Sequence, residues 1–347
     1  MTKFFLVASA ASVAIAAAAG TAGAQSRDTI QIAGSSTVLP FASIVAEEFG
    51  NAFPEFNTPV VGSGGSSGGL RQFCQGIGEN TIDIANSSRR MRSGEVEACN
   101  TAGVNDIREV QIGYDGIVFA VGADKGDFAL EPVHVYKAIA AQVPVDGQMV
   151  ANPYTTWNEV DASLPEQPIA IAIPASNHGT REVFEERVIN PGCEAAELPE
   201  MEEEAMETAC LTFRQDVVVE IAGDYTETLA RLQANPDTVG VFGLSFYDQN
   251  RDTLKVATVS GVTPSLETIA SGEYPVSRPL YFYVKGEHVG TIPGIAEFVQ
   301  FFLSEQMAGA GGMLEQAGMI PAPAEETEAV WAAFEAGEAL TVETLAD

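Results

Sequence analysis

Two rhythms of apolar residues alternate along this chain. Short strand-like runs recur, beginning with TIQIAG (29–34), TPVVG (58–62), TIDIAN (81–86) and the long VQIGYDGIVFAVG (110–122). Further runs of this kind are PIAIAIP (168–174), VGVFGLSF (239–246) and YPVSRPLYFYVKG (274–286). Between them lie segments whose apolar positions repeat every three or four residues and so predict helices. These include PFASIVAEEFGNAF (40–53), a short helix LRQFCQGI (70–77), SGEVEACNTAG (93–103) and VHVYKAIAAQV (133–143). TREVFEERVI (180–189), TETLARLQAN (226–235), IPGIAEFVQFFLSEQM (292–307) and EETEAVWAAFEAG (325–337) continue the series. Strand and helix in alternation predict an α/β fold with a largely parallel or mixed sheet. Breaks near residues 120 and 250 suit two lobes.

The first 24 residues stand outside this pattern. MTKFFLVASAASVAIAAAAGTAGA has one lysine, an apolar run and the small residues Ala22-Gly23-Ala24 of an A-x-A cleavage site. It reads as a secretory signal peptide, 1–24, cut before Gln25. The apolar run is shorter than the ~20 residues of a membrane-spanning helix. Export to the periplasm is the expectation, with 323 residues remaining, enough for two domains.

Charge narrows the partners. The net charge is −31, and one unit more negative once Lys3 leaves with the leader. Such a field repels nucleic acid and anionic lipid. Any bound anion must be held by local groups. Four cysteines, Cys74, Cys99, Cys193 and Cys210, remain in an exported chain, where disulfides are the default. Three pairings are possible, and Cys74 with Cys99 and Cys193 with Cys210 close the shortest loops. The segment between the last two cysteines holds seven glutamates and reads as a solvated helix. The cysteine spacings are not those of zinc sites, so no metal or cofactor is expected.

Basic residues are scarce, and their placement is informative. Ser66-Ser67-Gly68-Gly69-Leu70 precedes Arg71, Ser87-Ser88 precedes Arg89 and Arg90, and His178-Gly179-Thr180 precedes Arg181. GSSTVLP (34–40) has the same small hydroxyl residues without the arginine. Each stretch lies between a strand-like run and a predicted helix. Unpaired N–H groups and the positive end of the macrodipole make such turns suitable for oxyanions. Glycine admits close backbone approach, and serine or threonine supplies a rotating donor. In an α/β sheet these turns lie along one edge, where ligands bind.

The glycine-rich VGSGGSSGGL (61–70) admits a second reading. Gly64-Gly65-Ser66-Ser67-Gly68 fits the G-x-S-x-G pattern of a hydrolase elbow, with His178 or His288 as base for Ser66. Its doubled serines and glycines, and the lack of an HGGG-type segment, weigh against a serine hydrolase. The chain also has no Gly-Lys-Ser/Thr of a Walker A loop.

AGSSTVLPFASIVAEEF, VGSGGSSGGLRQF, TIDIANSSRRM, IGYDGIVFAV, HGTREVF and SRPLYFYV together resemble the periplasmic phosphate-binding component of phosphate ABC transporters. The resemblance covers about residues 29 to 305. It implies a type II periplasmic binding protein, two α/β lobes joined by a hinge of crossing strands. Lobe 1 would be discontinuous, 26–121 plus 254–347, with lobe 2 at 122–253. It further implies a monomer that binds inorganic phosphate without chemistry on it and delivers it to a membrane permease driven by an ATPase. Carried over motif by motif, the ligand would meet Ser36, Thr37 and the backbone of Val38, then Ser66 and Ser67, and finally His178, Gly179 and Thr180. Family members often have an aspartate at Ser88 and an arginine at Pro174. Their duties would pass to Ser88 with Arg89, to Arg181, and to Asp115 as acceptor of the phosphate proton. A binding protein or sensor subunit for another, sulfate-like oxyanion is the alternative.

Overall fold

The computed structural model describes residues 27–78, 80–176, 179–222 and 225–345. The expected signal peptide therefore lies outside the described residues. Among the described residues, thirteen strands follow in chain order: β1 (Gln31–Gly34), β2 (Val60–Ser63), β3 (Ile84–Ser87), β4 (Ile107–Gly122), β5 (Ala129–Leu130), β6 (Gln142–Val145) and β7 (Gln148–Ala151). The remainder are β8 (Ile171–Pro174), β9 (Val218–Ile221), β10 (Val239–Gly243), β11 (Leu254–Val256), β12 (Thr258–Val259) and β13 (Ser277–Lys285). Nine of them form one mixed sheet in the order β2-β1-β3-β13-β4-β10-β8-β9, with β11 on the far half of β4. The fold is α/β, as the alternation predicts.

Strand β4 organises this sheet. Its first half pairs antiparallel with β13, and its second half pairs antiparallel with β10 and β11. Two parallel sets lie outside: β1, β2 and β3 on one side, β8, β9 and β10 on the other. Alternation along β13 splits the packing between two faces, because successive side chains of a strand point oppositely. Leu280, Phe282 and Val284 join the cluster under the helices Leu39–Ala52 and Ile295–Phe302, while Tyr281 and Tyr283 join Leu70, Phe73 and Val96. A third cluster gathers Phe119, Trp157, Phe184 and Phe242, and takes in Leu254, Ile269, Tyr274 and Val276 from later in the chain.

Several boundaries differ from the apolar pattern. The strand expected over 239–246 ends at Gly243, and Leu244–Gln249 is helical. A short buried apolar run fits either geometry, so the pattern could not place the change. The acidic segment forms two helices, Asn190–Ala195 and Glu203–Leu211. Pro199 lies between them, where its ring and missing N–H break helical continuity. Both expected disulfides are present, Cys74–Cys99 and Cys193–Cys210.

The glycine-rich stretch is the start of a helix. Gly65, at φ +68°, turns the chain, and the helix Ser66–Phe73 begins immediately. A Cβ on Gly69 would lie 2.4 Å from the Gly34 Cα and 2.8 Å from the Ala33 carbonyl oxygen. Helix and strand therefore meet backbone to backbone. Gly69→Ala is expected to cost about 1–3 kcal/mol through overpacking, read as a lower denaturation midpoint. Gly68, with nothing near its Cβ position, is the control. Gly68→Ala should hold stability or raise it by up to about 1 kcal/mol.

Candidate functional site

Register brings the carboxyl ends of both parallel sets to the middle of β4. Gly34 of β1 lies opposite Ser63 and Asn86, so the three turns after β1, β2 and β3 leave from one edge. On β13, Arg278 lies opposite Asp115. From the other side β10 ends with Gly243 opposite Ile117. Turns from both sets thus converge near Asp115.

A cavity of about 330 Å³ lies there, lined by Thr37, Asp115, Thr180, Tyr225, Thr226 and Ser245 among others. Phe41 and Phe246 are its aromatic walls, and Glu315 and Gln316 also line it. The hydroxyl of Tyr225 donates to Thr180 Oγ1 at 3.2 Å. Burial pushes the Tyr225 phenol well above its ordinary range, so it remains a donor. No basic side chain occurs among the described residues lining the cavity.

Beside it, Arg278 is a buried cation, 2% exposed, amid three carboxylates. Its Nη1 donates to Glu186 Oε2 at 2.8 Å, and its Nη2 donates to Thr37 Oγ1 at 2.9 Å and Glu182 Oε2 at 3.2 Å. Asp115 Oδ2 is 3.7 Å from Nη2. Glu182 and Glu186, four residues apart, share a face of their helical segment. Burial pushes the Asp115 carboxyl up to about 6; Arg278 opposes this, and Glu182 and Glu186 reinforce it. The site can therefore donate several hydrogen bonds and offer one carboxylate poised near neutrality.

Of the residues expected from sequence, Thr37, Asp115 and Thr180 line this cavity. Ser36 is exposed; Ser35 is the buried serine of its turn, and its Oγ accepts from the N–H groups of Thr37 and Val38. Val38 thus donates within its own turn. Ser66 and Ser88 form a second buried pair, Oγ to Oγ at 3.0 Å, and the Ser88 N–H donates to Ser66 Oγ at 3.1 Å. Ser67 is exposed and accepts from Arg89 Nη2, whose guanidinium also binds Glu95 bidentately. Gly179 starts the helix Gly179–Phe184, and His178 lies outside the described residues.

Arg181 does not line the cavity. Its Nε donates to Glu185 at 2.6 Å, its Nη1 donates to the Pro174 carbonyl at 2.9 Å, and its guanidinium stacks over Phe213. Adjacent helix residues point in different directions, and these contacts hold Arg181 away from the cavity that Thr180 lines. His288, one of two candidate bases for Ser66, is held by Asp83 Oδ1 at 2.6 Å and the Ile77 carbonyl at 2.9 Å.

A family profile described as the PBP superfamily domain matches residues 19–306, most of the sequence. The chain belongs to the PBP superfamily. Relatives of this superfamily member include protein SphX of Synechococcus elongatus, 28% identical over 315 residues, covering 89% of this chain and 82% of that protein. The phosphate-binding protein PstS of Staphylococcus haemolyticus is 28% identical over 295 residues, covering 84% and 80%. Among solved structures, a possible phosphate binding protein from Planctomyces limnophilus superposes with TM-score 0.68 at 26% identity, covering 89% of this chain and 98% of that one. An ABC-type phosphate transport receptor from Vibrio cholerae has the same fold, with TM-score 0.55 at 21% identity, covering 84% and 99%.

Sequence reasoning passed over Arg278, Glu182, Glu186, Tyr225 and Ser245. Arg278 did leave a signal, as a cation placed directly before the apolar run PLYFYV. Ser245 was hidden by the misread strand end.

Proposed function

We propose that this superfamily member captures inorganic phosphate and hands it to the permease of an ATP-driven importer, without chemistry on the ligand. The observation that carries this reading is the meeting of two opposed sets of strand ends at Asp115, which gathers hydroxyl donors around one carboxylate. A tetrahedral oxyanion bearing a proton suits that arrangement: hydroxyls donate to its oxygens, and Asp115 accepts its proton. Sulfate has no proton to give and meets the carboxylate's charge. Phosphate-binding names among the relatives support the same ligand.

Two lobes follow from the same geometry. We place the crossings at Tyr114–Ile117 and Tyr274–Ser277, where β4 passes from one strand set to the other and the chain returns into β13. Thr37 and Arg278 belong to the first lobe, Thr180, Glu182 and Ser245 to the second, so a ligand between them would favour the closed form. The amino-terminal leader supports export to the periplasm, and no helix among the described residues is long and apolar enough to cross a membrane.

Calorimetric titration of phosphate and sulfate into the mature protein tests the reading. Phosphate should bind more tightly than about 10 μM, equivalent to about −7 kcal/mol, and sulfate at least tenfold more weakly. Absence of phosphate binding at that level overturns the proposal.

A further inference from the structure

The cavity poses an electrostatic problem for any anion. Two acidic side chains, Asp115 and Glu315, line it, and no basic one does among the described residues. The nearest cation, Arg278, is buried behind Thr37 and carboxylates. Glu182 holds both Arg278 and the cavity-lining Thr37. One oxygen, Oε2, accepts from Thr37 Oγ1 at 2.7 Å and from Arg278 Nη2 at 3.2 Å. Those donors are a cavity-lining hydroxyl and the one nearby guanidinium, the pair an oxyanion would require.

We propose that Glu182 is a built-in competitor of the anion. Its carboxylate must leave Thr37 and Arg278 before a phosphate oxygen can take them, and this exchange sets the affinity of the site. The inference rests on the phosphate reading above. Exchange of one anionic oxygen for another keeps Arg278 paired throughout, avoiding the cost of a bare buried charge. The Glu182 side chain is 37% exposed, so water can receive the displaced carboxylate. Glu186 differs: it holds the other nitrogen, Nη1, and makes no bond to Thr37. It can stay in place while Glu182 moves. Glu182 also differs from Asp115, which is buried and not free to withdraw. It is thus a positioning residue that acts through Arg278 and Thr37.

Phosphate titrations of wild type, Glu182→Gln, Glu182→Ala and Glu186→Gln test this. Removing a competitor tightens binding, an effect that loss of a merely structural contact would not give. Both Glu182 variants should bind phosphate at least tenfold more tightly than wild type, and Glu186→Gln, the charge-matched control, less than threefold. Equal tightening in Glu186→Gln overturns the proposal in favour of a general charge effect. Unchanged or weaker binding in both Glu182 variants also overturns it. Wild type that fails to bind overturns the phosphate reading on which the inference rests, whatever the variants do. If none binds, the phosphate reading and this inference both fall. Melting temperatures check folding, and with two replacements the test does not depend on either one.

Discussion

Replacement of Arg278 by methionine lowers the free energy of unfolding by about 3 kcal/mol and removes measurable phosphate binding. Methionine fills the volume of the aliphatic stem, so the change removes the guanidinium, its charge and its donors together, with little loss of packing. Breaking a buried pair from one side costs about 3–5 kcal/mol, because the remaining partner stays buried and uncompensated. Here that partner is Asp115. Glu182 and Glu186 have side chains 37% and 50% exposed and regain water, which holds the cost to the lower end. Binding suffers more than stability, since the cavity's described walls offer an anion hydroxyls and carboxylates but no cation. Urea denaturation and calorimetry at pH 7.5 check both effects. An unchanged midpoint, or an affinity within threefold of wild type, would refute the role given to Arg278.

Asp115→Asn is expected to abolish discrimination between phosphate and sulfate and to stabilise the protein above neutrality. Asp115 is raised to about 6 in the fold, from an ordinary value of 3.8. Between these values the folded protein keeps a proton that the unfolded chain has released, so stability falls as pH rises through the window and is lowest above it. A displacement of this size corresponds to roughly 3 kcal/mol at most. The asparagine variant should lack that slope and gain on the order of 2 kcal/mol at pH 8. An ionised Asp115 accepts the proton of HPO4²⁻ and repels sulfate, whereas an amide can donate to either anion. The ratio of sulfate to phosphate dissociation constants should fall about a hundredfold, or about 2.7 kcal/mol. A preserved ratio would show that another group accepts the proton.

Secondary structure was largely legible, because burial of one face imposes period two on strands and 3.6 on helices. The misread 239–246 run marks where that logic fails: a fully buried segment has no polar face to report its period. Hydroxyl turns were legible as well, since Thr37 and Thr180 are small donors at helix starts. Arginines were not. Arg89 and Arg181 follow such turns in sequence, yet one is bound to Glu95 and the other to Glu185 and Phe213. Proximity along the chain does not fix the direction of a long side chain.

By itself the sequence determined the α/β alternation, the hydroxyl and glycine turns, and a strongly acidic chain in which any anion needs local donors; it favoured the two disulfides among three pairings. VGSGGSSGGL was readable as a glycine turn ahead of a helix, but not that the helix already begins at Ser66, nor that Gly69 is small to meet the backbone of Gly34. Only the tertiary structure decided which charges face one another. Arg278, Asp115, Glu182 and Glu186 come from three separate segments, brought together by the register of β13 on β4 and by the packing of the Gly179–Phe184 helix. Local propensity acts over a few residues, but the balance of one buried cation against three carboxylates depends on distances of a few ångströms between distant parts of the chain.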